Sequence, residues 1–223
     1  MEKLLETFEA LKQKNLSIDL TRGKPHSDQL DLSNDLMTQA VDAIGENGVD
    51  LRNYGEPIGI IEARKLGADI LDSKIDLTIA GEQSSYLLMT QLLLGRFLFG
   101  LDDDPWKNDK EPAFLCAVPG FDRHFATLEG LGLRMHTVNL CSSGIDLDDL
   151  NKKLSKYQNI KGLICVPRHS NPSGEVFSDE NITNLLKITK EYNSSFINLF
   201  DHAYLIHDFD ETQVQTPIPV LAD

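Results

Sequence analysis

The chain has 223 residues, with 21 Lys and Arg against 35 Asp and Glu, so its formal net charge is −14. Its 41% hydrophobic and 25% charged residues exclude a disordered or fibrous protein, and its length allows a sizeable core. The negative charge argues against a broad surface for nucleic acid or anionic membranes, because both require clustered Lys and Arg.

The cysteines and the N-terminus indicate the cellular compartment. Cys116, Cys141 and Cys165 are odd in number and lack CxxC spacing, so they predict neither a disulfide framework nor a zinc site. The first residues contain no apolar core of a secretory signal. The most apolar stretch, 86–99, is shorter than a membrane span and contains Gln91 and Arg96. We therefore expect a cytoplasmic protein without a metal.

Two helices are predicted near the N-terminus. Apolar residues at helical spacing predict a helix over 2–14, and a turn-rich loop follows over 16–34. Ser33 and Asn34 can supply the N-cap of a second helix over 35–46.

From residue 58 onwards the pattern alternates between helices and strands. Helices are predicted over 58–71, 86–100, 121–131, 147–156 and 178–190, and strands over 77–80, 113–118, 134–140, 162–166 and 195–200. Strands that are apolar throughout and separated by helices predict an α/β fold, with a mainly parallel sheet and helices on both faces. Ligands bind such sheets at the carboxyl ends of the strands, which directs attention to the turns 81–85, 119–123, 167–174 and 201–204.

The first two turns offer groups for a phosphate and a planar ring. Ser84 and Ser85 precede a long helix, whose N-terminal N–H groups and partial positive charge suit a phosphate. A serine at this place can also serve only as an N-cap. Phe121 can stack on a planar ligand, or simply cover the core.

The last two turns offer groups for a phenolic oxygen and a ring nitrogen. Asn171 can donate to a phenolate-like oxygen, although Asn-Pro is also an ordinary turn starter. Asp201 follows an apolar strand, where a carboxylate either pairs with a cation such as a protonated ring nitrogen or caps a local turn. Tyr204 can reach the same ligand with its hydroxyl. Together the four turns describe pyridoxal 5′-phosphate (PLP).

The same segments resemble the fold-type I PLP-dependent aminotransferases of class I/II. Within them the chain is most similar to a bacterial aspartate-aminotransferase-like subgroup. The matching segments are LTRGKP at 20–25, DLSN at 31–34, RNYG at 52–55, VPGFDRHFA at 118–126, SNPSG at 170–174 and DHAY at 201–204. The resemblance implies PLP as cofactor, an amino acid and a 2-oxo acid as substrates (aspartate and 2-oxoglutarate first), and a homodimer in the full-length form.

The resemblance also implies which residues hold the phosphate. Gln83, Ser84 and Ser85 would bind it, together with Tyr54 from the neighbouring subunit. One departure concerns this turn, because Glu82 adds an anion beside the proposed phosphate.

The remaining roles concern the ring and the substrate. By the resemblance, Phe121 would stack on the pyridine ring and Asp201 would pair with its nitrogen. Asn171 would bind the phenolic oxygen with the assistance of Tyr204. Gly23, in a loop that folds over the substrate, and Asn171 would lie at the substrate.

The largest departure from the family is a missing lysine. The family's Schiff-base lysine follows the Asp-x-Ala-Tyr strand by several tens of residues, but the last Lys or Arg in this sequence is Lys190. Arg168-His169 also stands where Lys-Tyr is more usual. The resemblance thus covers the N-terminal half of such an enzyme, with an N-terminal arm and part of the small domain over 1–50 and an incomplete PLP-binding large domain over 51–223. We expect this truncated chain to be inactive alone.

Three other interpretations stay open. The same cofactor residues serve other fold-type I chemistry, such as β-elimination or decarboxylation. The chain can also be a non-catalytic half that needs a partner chain. Because the family's second half would complete the sheet, we expect an apolar sheet edge and one face to be uncovered in this chain. An unrelated nucleotide-binding protein is the third, although neither GxGxxG nor a Walker pattern occurs.

Overall fold

The structure is a computed structural model that describes residues 2–19, 21, 23–101 and 103–208. The chain divides into two compact units, Met1–Ala43 and Ile44–Asp223. Within the described ranges, no helix is long and apolar enough to cross a membrane. Leu20 and Arg22 of the LTRGKP segment, and 209–223 of the predicted large domain, lie outside the described residues.

Helices make up the regular structure of the first half of the chain, and strands and helices interleave from residue 113 onwards. The described α-helices are α1 (Glu2–Gln13), α2 (Ser27–Asp31), α3 (Ile61–Leu71), α4 (Ser85–Phe99), α5 (Asp122–Gly130), α6 (Leu147–Lys156) and α7 (Asp179–Tyr192). The described β-strands are β1 (Ala113–Val118), β2 (Arg134–Cys141), β3 (Gly144–Ile145), β4 (Ile160–Cys165) and β5 (Ile197–Phe200).

The first unit contains the predicted N-terminal helix, α1, but the helix predicted over 35–46 is wrong. Ser33 makes no side-chain capping bond within the described chain, because its hydroxyl donates instead to the Leu30 carbonyl at 2.8 Å. A five-residue 3₁₀ helix, Asn34–Thr38, follows instead. Leu36 and Met37 are 72% and 87% exposed, so they contribute no burial that would stabilise a longer helix.

The second unit is built on a five-stranded sheet with the order β3-β2-β1-β4-β5. The pairs of β1 with β2, β1 with β4 and β4 with β5 are parallel, and only β3 runs antiparallel to its neighbour β2. The predicted α/β fold with a mainly parallel sheet is therefore confirmed. Among the described residues β5 pairs with β4 alone, which leaves its other edge open, as the sequence led us to expect.

Helices cover both faces of the sheet. Successive side chains of a strand point to opposite faces, so β1 contributes to two separate core clusters. Leu115 packs in one cluster with Leu150 of α6 and Leu185 of α7. Phe114 packs in the other with Leu93 of α4 and residues of α5.

The strand predicted over 77–80 is wrong. The guanidinium of Arg64 donates to the carbonyls of Ile75 (2.7 Å) and Thr78 (2.8 Å), which holds residues 75–77 in a 3₁₀ turn. Among the described residues, the extended segment after this turn makes one backbone hydrogen bond to a distant segment, from the Ala80 N–H to the Ile58 carbonyl at 2.9 Å. One such bond does not make a ladder, so the turn 81–85 follows no strand.

The same contact explains why α3 begins later than predicted. Gly59 has φ +90°, a left-handed conformation that ends any helix begun at residue 58. A Cβ at this position would lie 2.1 Å from the Ala80 carbonyl oxygen. The close approach of these two backbone segments therefore requires glycine.

The expectation that all strands are apolar throughout is wrong for β2. Of its eight residues only Val138 is fully buried. Strand β2 lies next to the edge strand β3, which pairs with it only at Leu140 and Cys141. Strand β3 itself is two residues long and was not predicted, because a segment this short has no periodicity to detect.

Candidate functional site

Three of the four predicted turns lie side by side. Strands β1, β4 and β5 are neighbours in the sheet, so their carboxyl ends meet at one edge, with adjacent strands about 4.8 Å apart. Phe121, Asn171 and Asp201 follow these three strands. The fourth turn, 81–85, instead leads into α4.

Asp201 lies directly after β5 and is 7% exposed. Its N–H donates to the Cys165 carbonyl at 2.9 Å, which extends the pairing of β5 with β4. Its Oδ1 accepts the Ala203 N–H at 3.0 Å, as the local-turn interpretation expects, while Oδ2 lies 3.0 Å from His124 Nε2. One oxygen thus closes the turn, and the other meets a ring from a different element.

His124 is a site residue that the sequence interpretation missed. Its side chain is 3% exposed and lies on α5, one turn after Phe121. The Phe121 and His124 rings meet edge to face, with centroids 5.2 Å apart and planes at 87°. Residues three apart share a helix face, so the spacing from Phe121 is the signal that would have identified His124.

Asn171 and Tyr204, for which the sequence predicts a shared ligand, contact each other in the structure. Asn171 Nδ2 donates to Tyr204 Oη at 3.2 Å, and both side chains are half-buried. The two residues lie 33 positions apart, so this contact joins the turn after β4 to the turn after β5.

The turn 81–85 presents two serine hydroxyls at the start of α4. Ser84 occupies the N-cap position, yet its side chain makes no capping hydrogen bond within the described chain. Gln83 and Ser85 are exposed. Glu82 Oε1 accepts Gln91 Nε2 at 2.7 Å, so its carboxylate is engaged along the helix. The interpretation of Ser84 as merely a capping serine is therefore not supported by its contacts.

A cavity of about 890 Å³ lies beside the end of β5. Its walls come mainly from apolar residues of α3, α4 and the segment 198–206. Ser85, Arg168 and Asp201 are among the polar residues that line it. Its volume lies in the range of small-molecule and cofactor sites.

Arg168 is a second site residue whose partner the sequence did not reveal. It is 4% exposed, and its Nε donates to Asp208 Oδ1 at 2.8 Å while Nη2 donates to Oδ2. His169 Nε2 lies 2.8 Å from the same Oδ1. Burial lowers the pKa of the Arg168 guanidinium.

Burial also changes the acid–base behaviour of the groups around Asp201. It lowers the pKa of His202, against the opposing effect of the Asp201 charge, and His202 Nδ1 has no hydrogen-bond partner among the described residues. Burial and the charge of Asp201 both raise the pKa of the Cys165 thiol. The lowered pKa of His202 and the raised pKa of Cys165 both indicate that the carboxyl ends of β4 and β5 are poorly solvated.

The structure does not bring Tyr54 into this group, and Gly23 belongs to the other compact unit. Tyr54 is 95% exposed in the second unit, and Gly23 is exposed in the unit Met1–Ala43. Within the described ranges, no three His, Cys, Asp or Glu side chains are grouped so that they could hold a metal ion.

The chain is similar to known aminotransferases. A family model for aspartate amino-transferase matches residues 1–221. The aspartate aminotransferase of Corynebacterium glutamicum is 35% identical over 212 residues, which are 92% of this chain and 48% of the relative. The crystal structure of an aspartate transaminase from the same species has a TM-score of 0.85 at 34% identity, and the match covers 99% of this chain and 53% of that one.

A more distant match concerns the fold alone. The α-aminoadipate aminotransferase of Thermus thermophilus, solved with N-(5′-phosphopyridoxyl)-L-leucine, has a TM-score of 0.54 at 21% identity. That match covers 68% of this chain and 35% of the other. The chain thus spans about half the length of the curated relatives it matches.

Proposed function

This chain belongs to the aspartate aminotransferase family, and from that premise we propose that it carries the PLP site of an aminotransferase. The proposed reaction moves an amino group from an amino acid to a 2-oxo acid, with aspartate and 2-oxoglutarate as the first pair to test. The observation that carries the proposal is Asp201, a buried carboxylate held by His124 at the edge where three strands end.

The surroundings of Asp201 fit a protonated pyridine nitrogen. A buried polar side chain needs hydrogen-bond partners to offset its desolvation, and the His124 ring lies within hydrogen-bond distance of the Asp201 carboxylate. Asp201 also lines the 890 Å³ cavity together with Ser85, whereas Phe121, Asn171 and Tyr204 are not among the residues that line it. When bound, PLP supplies an electron sink for the substrate's α-carbon, and Asp201 has the role of keeping its ring nitrogen protonated.

Asn171 and Tyr204 fit the phenolic oxygen of the same ring. Their hydrogen bond of 3.2 Å aligns an amide donor with a hydroxyl that can donate onwards to an acceptor. In the proposed site Asn171 also borders the substrate. Phe121 would cover one face of the ring, with its edge already supported by His124.

The start of α4 fits the phosphate. Helix N-terminal N–H groups lack partners within the helix and favour anions, and Ser84 and Ser85 add two hydroxyl donors. We assign Gln83 to the same group. Tyr54, which is exposed, is proposed to reach the phosphate of a second copy in a homodimer.

Other parts of the proposal concern the whole protein. We propose that Gly23 contributes to the substrate site and that the protein acts in amino-acid metabolism in the cytoplasm. The three free cysteines are compatible with that reducing compartment.

The test is PLP binding by the full chain and its Asp201→Asn variant, measured by equilibrium dialysis and by circular dichroism in the cofactor's absorption band. Replacing the carboxylate removes a buried charged contact, so we expect binding to weaken by about 10- to 100-fold. Asp148→Asn, an exposed site on α6, is the matched control and should bind like the original chain. Equal binding by all three proteins would contradict the role of Asp201.

Other PLP chemistry is separated by its products. Transamination transfers the amino group to a 2-oxo acid, whereas β-elimination releases ammonia and decarboxylation releases CO₂. The residues proposed for the cofactor serve all three reactions, so a product assay on the full-length enzyme decides among them.

A second candidate function is that of a non-catalytic half that needs a partner chain. The observation that favours it is the open edge of β5 beside the large apolar cavity. Co-expression with the C-terminal half of the Corynebacterium glutamicum relative, followed by gel filtration, tests it. Co-elution supports this candidate, and separate elution of the two halves rejects it.

A further inference from the structure

We propose that Asp208 is a positioning residue, which binds the consecutive side chains of Arg168 and His169 and thereby fixes the segment 201–208 against the loop 167–174. Its effect on cofactor binding rests on the proposed function. The contact itself does not, because it joins residues of this chain only.

The first argument is the convergence of two adjacent side chains on one carboxylate. Neighbouring side chains of an extended backbone point to opposite sides. His169 has φ +50°, a left-handed conformation that is uncommon for residues other than glycine. This bend allows the Arg168 guanidinium and the His169 ring to reach Asp208 together.

The second argument is burial. The Arg168 side chain is 5% exposed, and the Asp208 side chain is 26% exposed. A buried guanidinium is costly unless it is paired, and a two-point contact with a carboxylate is its strongest pairing. Among the described residues, Asp208 is the only carboxylate that forms an ion pair with Arg168.

The third argument connects Asp208 to the candidate site. Between Tyr204 and Asp208 the chain is held in a turn, in which the His207 N–H donates to the Tyr204 carbonyl at 3.0 Å. At the other end of the segment, Asp201 is fixed to β4 through Cys165. With both ends fixed, the Tyr204 hydroxyl is kept at 3.2 Å from the Asn171 amide.

The fourth argument concerns charge. Arg168 and Asp201 line the same cavity, so an unpaired guanidinium would attract the Asp201 carboxylate. Because Asp208 pairs with the Arg168 guanidinium, the Asp201 carboxylate remains available to contact His124 and the proposed ring nitrogen. Both effects of Asp208, on position and on charge, favour the same arrangement.

The experiment compares amide hydrogen exchange of the full chain with that of three variants, without any cofactor. Asp208→Asn removes the charge that binds both partners, and Arg168→Lys keeps a cation but loses the two-point contact. Glu111→Gln is the matched control, because it breaks the exposed ion pair with Arg134 at the opposite ends of the strands. The readout is exchange over 203–207 relative to that in β4.

We expect Asp208→Asn to speed exchange over 203–207 by roughly tenfold or more, Arg168→Lys to speed it less, and Glu111→Gln to leave it unchanged. Exchange in β4 should stay the same in all of them. Equal exchange over 203–207 in Asp208→Asn and the control overturns the proposal. If Asp208→Asn also loses protection in β4, that variant is destabilised as a whole. The test then rests on Arg168→Lys, and equal exchange over 203–207 in Arg168→Lys and in Glu111→Gln overturns the proposal.

Equilibrium dialysis with PLP on the same proteins separates the two proposals. About tenfold weaker binding by Asp208→Asn, with Glu111→Gln unchanged, supports the positioning role at a PLP site. If no protein binds PLP while the exchange pattern holds, the proposed function fails and the role of Asp208 in positioning the segment stands. Normal binding with unchanged exchange removes the role of Asp208 and leaves the proposed function intact.

Discussion

Replacing His124 by phenylalanine should reveal how strongly Asp201 depends on it. The two side chains are 3% and 8% exposed, and Nε2 and Oδ2 lie 3.0 Å apart. A hydrogen bond to a charged group contributes about 1.5–3 kcal/mol, and removing one partner of a buried pair costs about 3–5 kcal/mol. Phenylalanine preserves much of the ring volume beside Phe121. We therefore expect the free energy of unfolding to fall by about 2–4 kcal/mol.

The assay is urea unfolding followed by the fluorescence of Trp106, the chain's single tryptophan, which is 4% exposed. His124→Phe, Asp201→Asn and the double variant form a double-mutant cycle. The double variant leaves no carboxylate facing an apolar ring. Its loss of unfolding free energy should therefore be smaller than the sum of the two single-variant losses by about 1–3 kcal/mol. His136→Phe is the control, because this histidine stacks on Tyr157 with centroids 3.6 Å apart and forms no ion pair within the described residues.

The result that would refute the reasoning is additivity. If the losses of His124→Phe and Asp201→Asn add within about 0.5 kcal/mol, as we expect for His136→Phe with Asp201→Asn, the pair is not coupled in the folded chain. His124 would then have no role in holding Asp201.

Two further predictions concern pH and thiol reactivity. Burial lowers the pKa of His202 in the folded chain. As the pH falls below the ordinary histidine pKa of about 6.5, the unfolded chain therefore takes up a proton at His202 more readily than the folded chain does. The free energy of unfolding consequently declines as the pH falls. His202→Gln should reduce the decline in urea midpoint between about pH 7.5 and 5.5, and an unchanged decline would contradict it. A thiol reagent should modify the exposed Cys141 rapidly, whereas the buried Cys116 and Cys165 should react only in urea. The reason is that burial raises the pKa of Cys116 to about 12 and also raises the pKa of Cys165, so that few thiolates are present. Fast modification of all three thiols without urea would show that the strands are not packed as described.

Elements with strong local signals were predicted closely. Helix α6 and strand β1 have the predicted boundaries. Asp146 caps α6 by accepting the Asp149 N–H at 3.0 Å, and this preference is visible in the sequence. The segment 77–80 was misjudged because its apolar residues suit a strand, whereas the distant Arg64 determines its backbone.

The site shows the same division between local and distant information. Asn171, Asp201 and Tyr204 were predicted because they follow apolar strands. The spacing from Phe121 could have indicated His124, but its contact with Asp201, 77 residues away in sequence, could not have been predicted. Asp208 was not assigned, since its partner Arg168 lies 40 residues away in sequence. Such partners become evident only when the strand order is known.

The strand order has a consequence for synthesis on the ribosome. The first strand to emerge, β1, occupies the centre of the sheet, and its neighbours begin only at Arg134 and Ile160. Until both have been translated, Phe114 and Leu115 have no sheet to enter, and exposed apolar segments of this kind are prone to aggregation. We therefore expect pausing of translation within β1–β2 to favour aggregation more than pausing after β4.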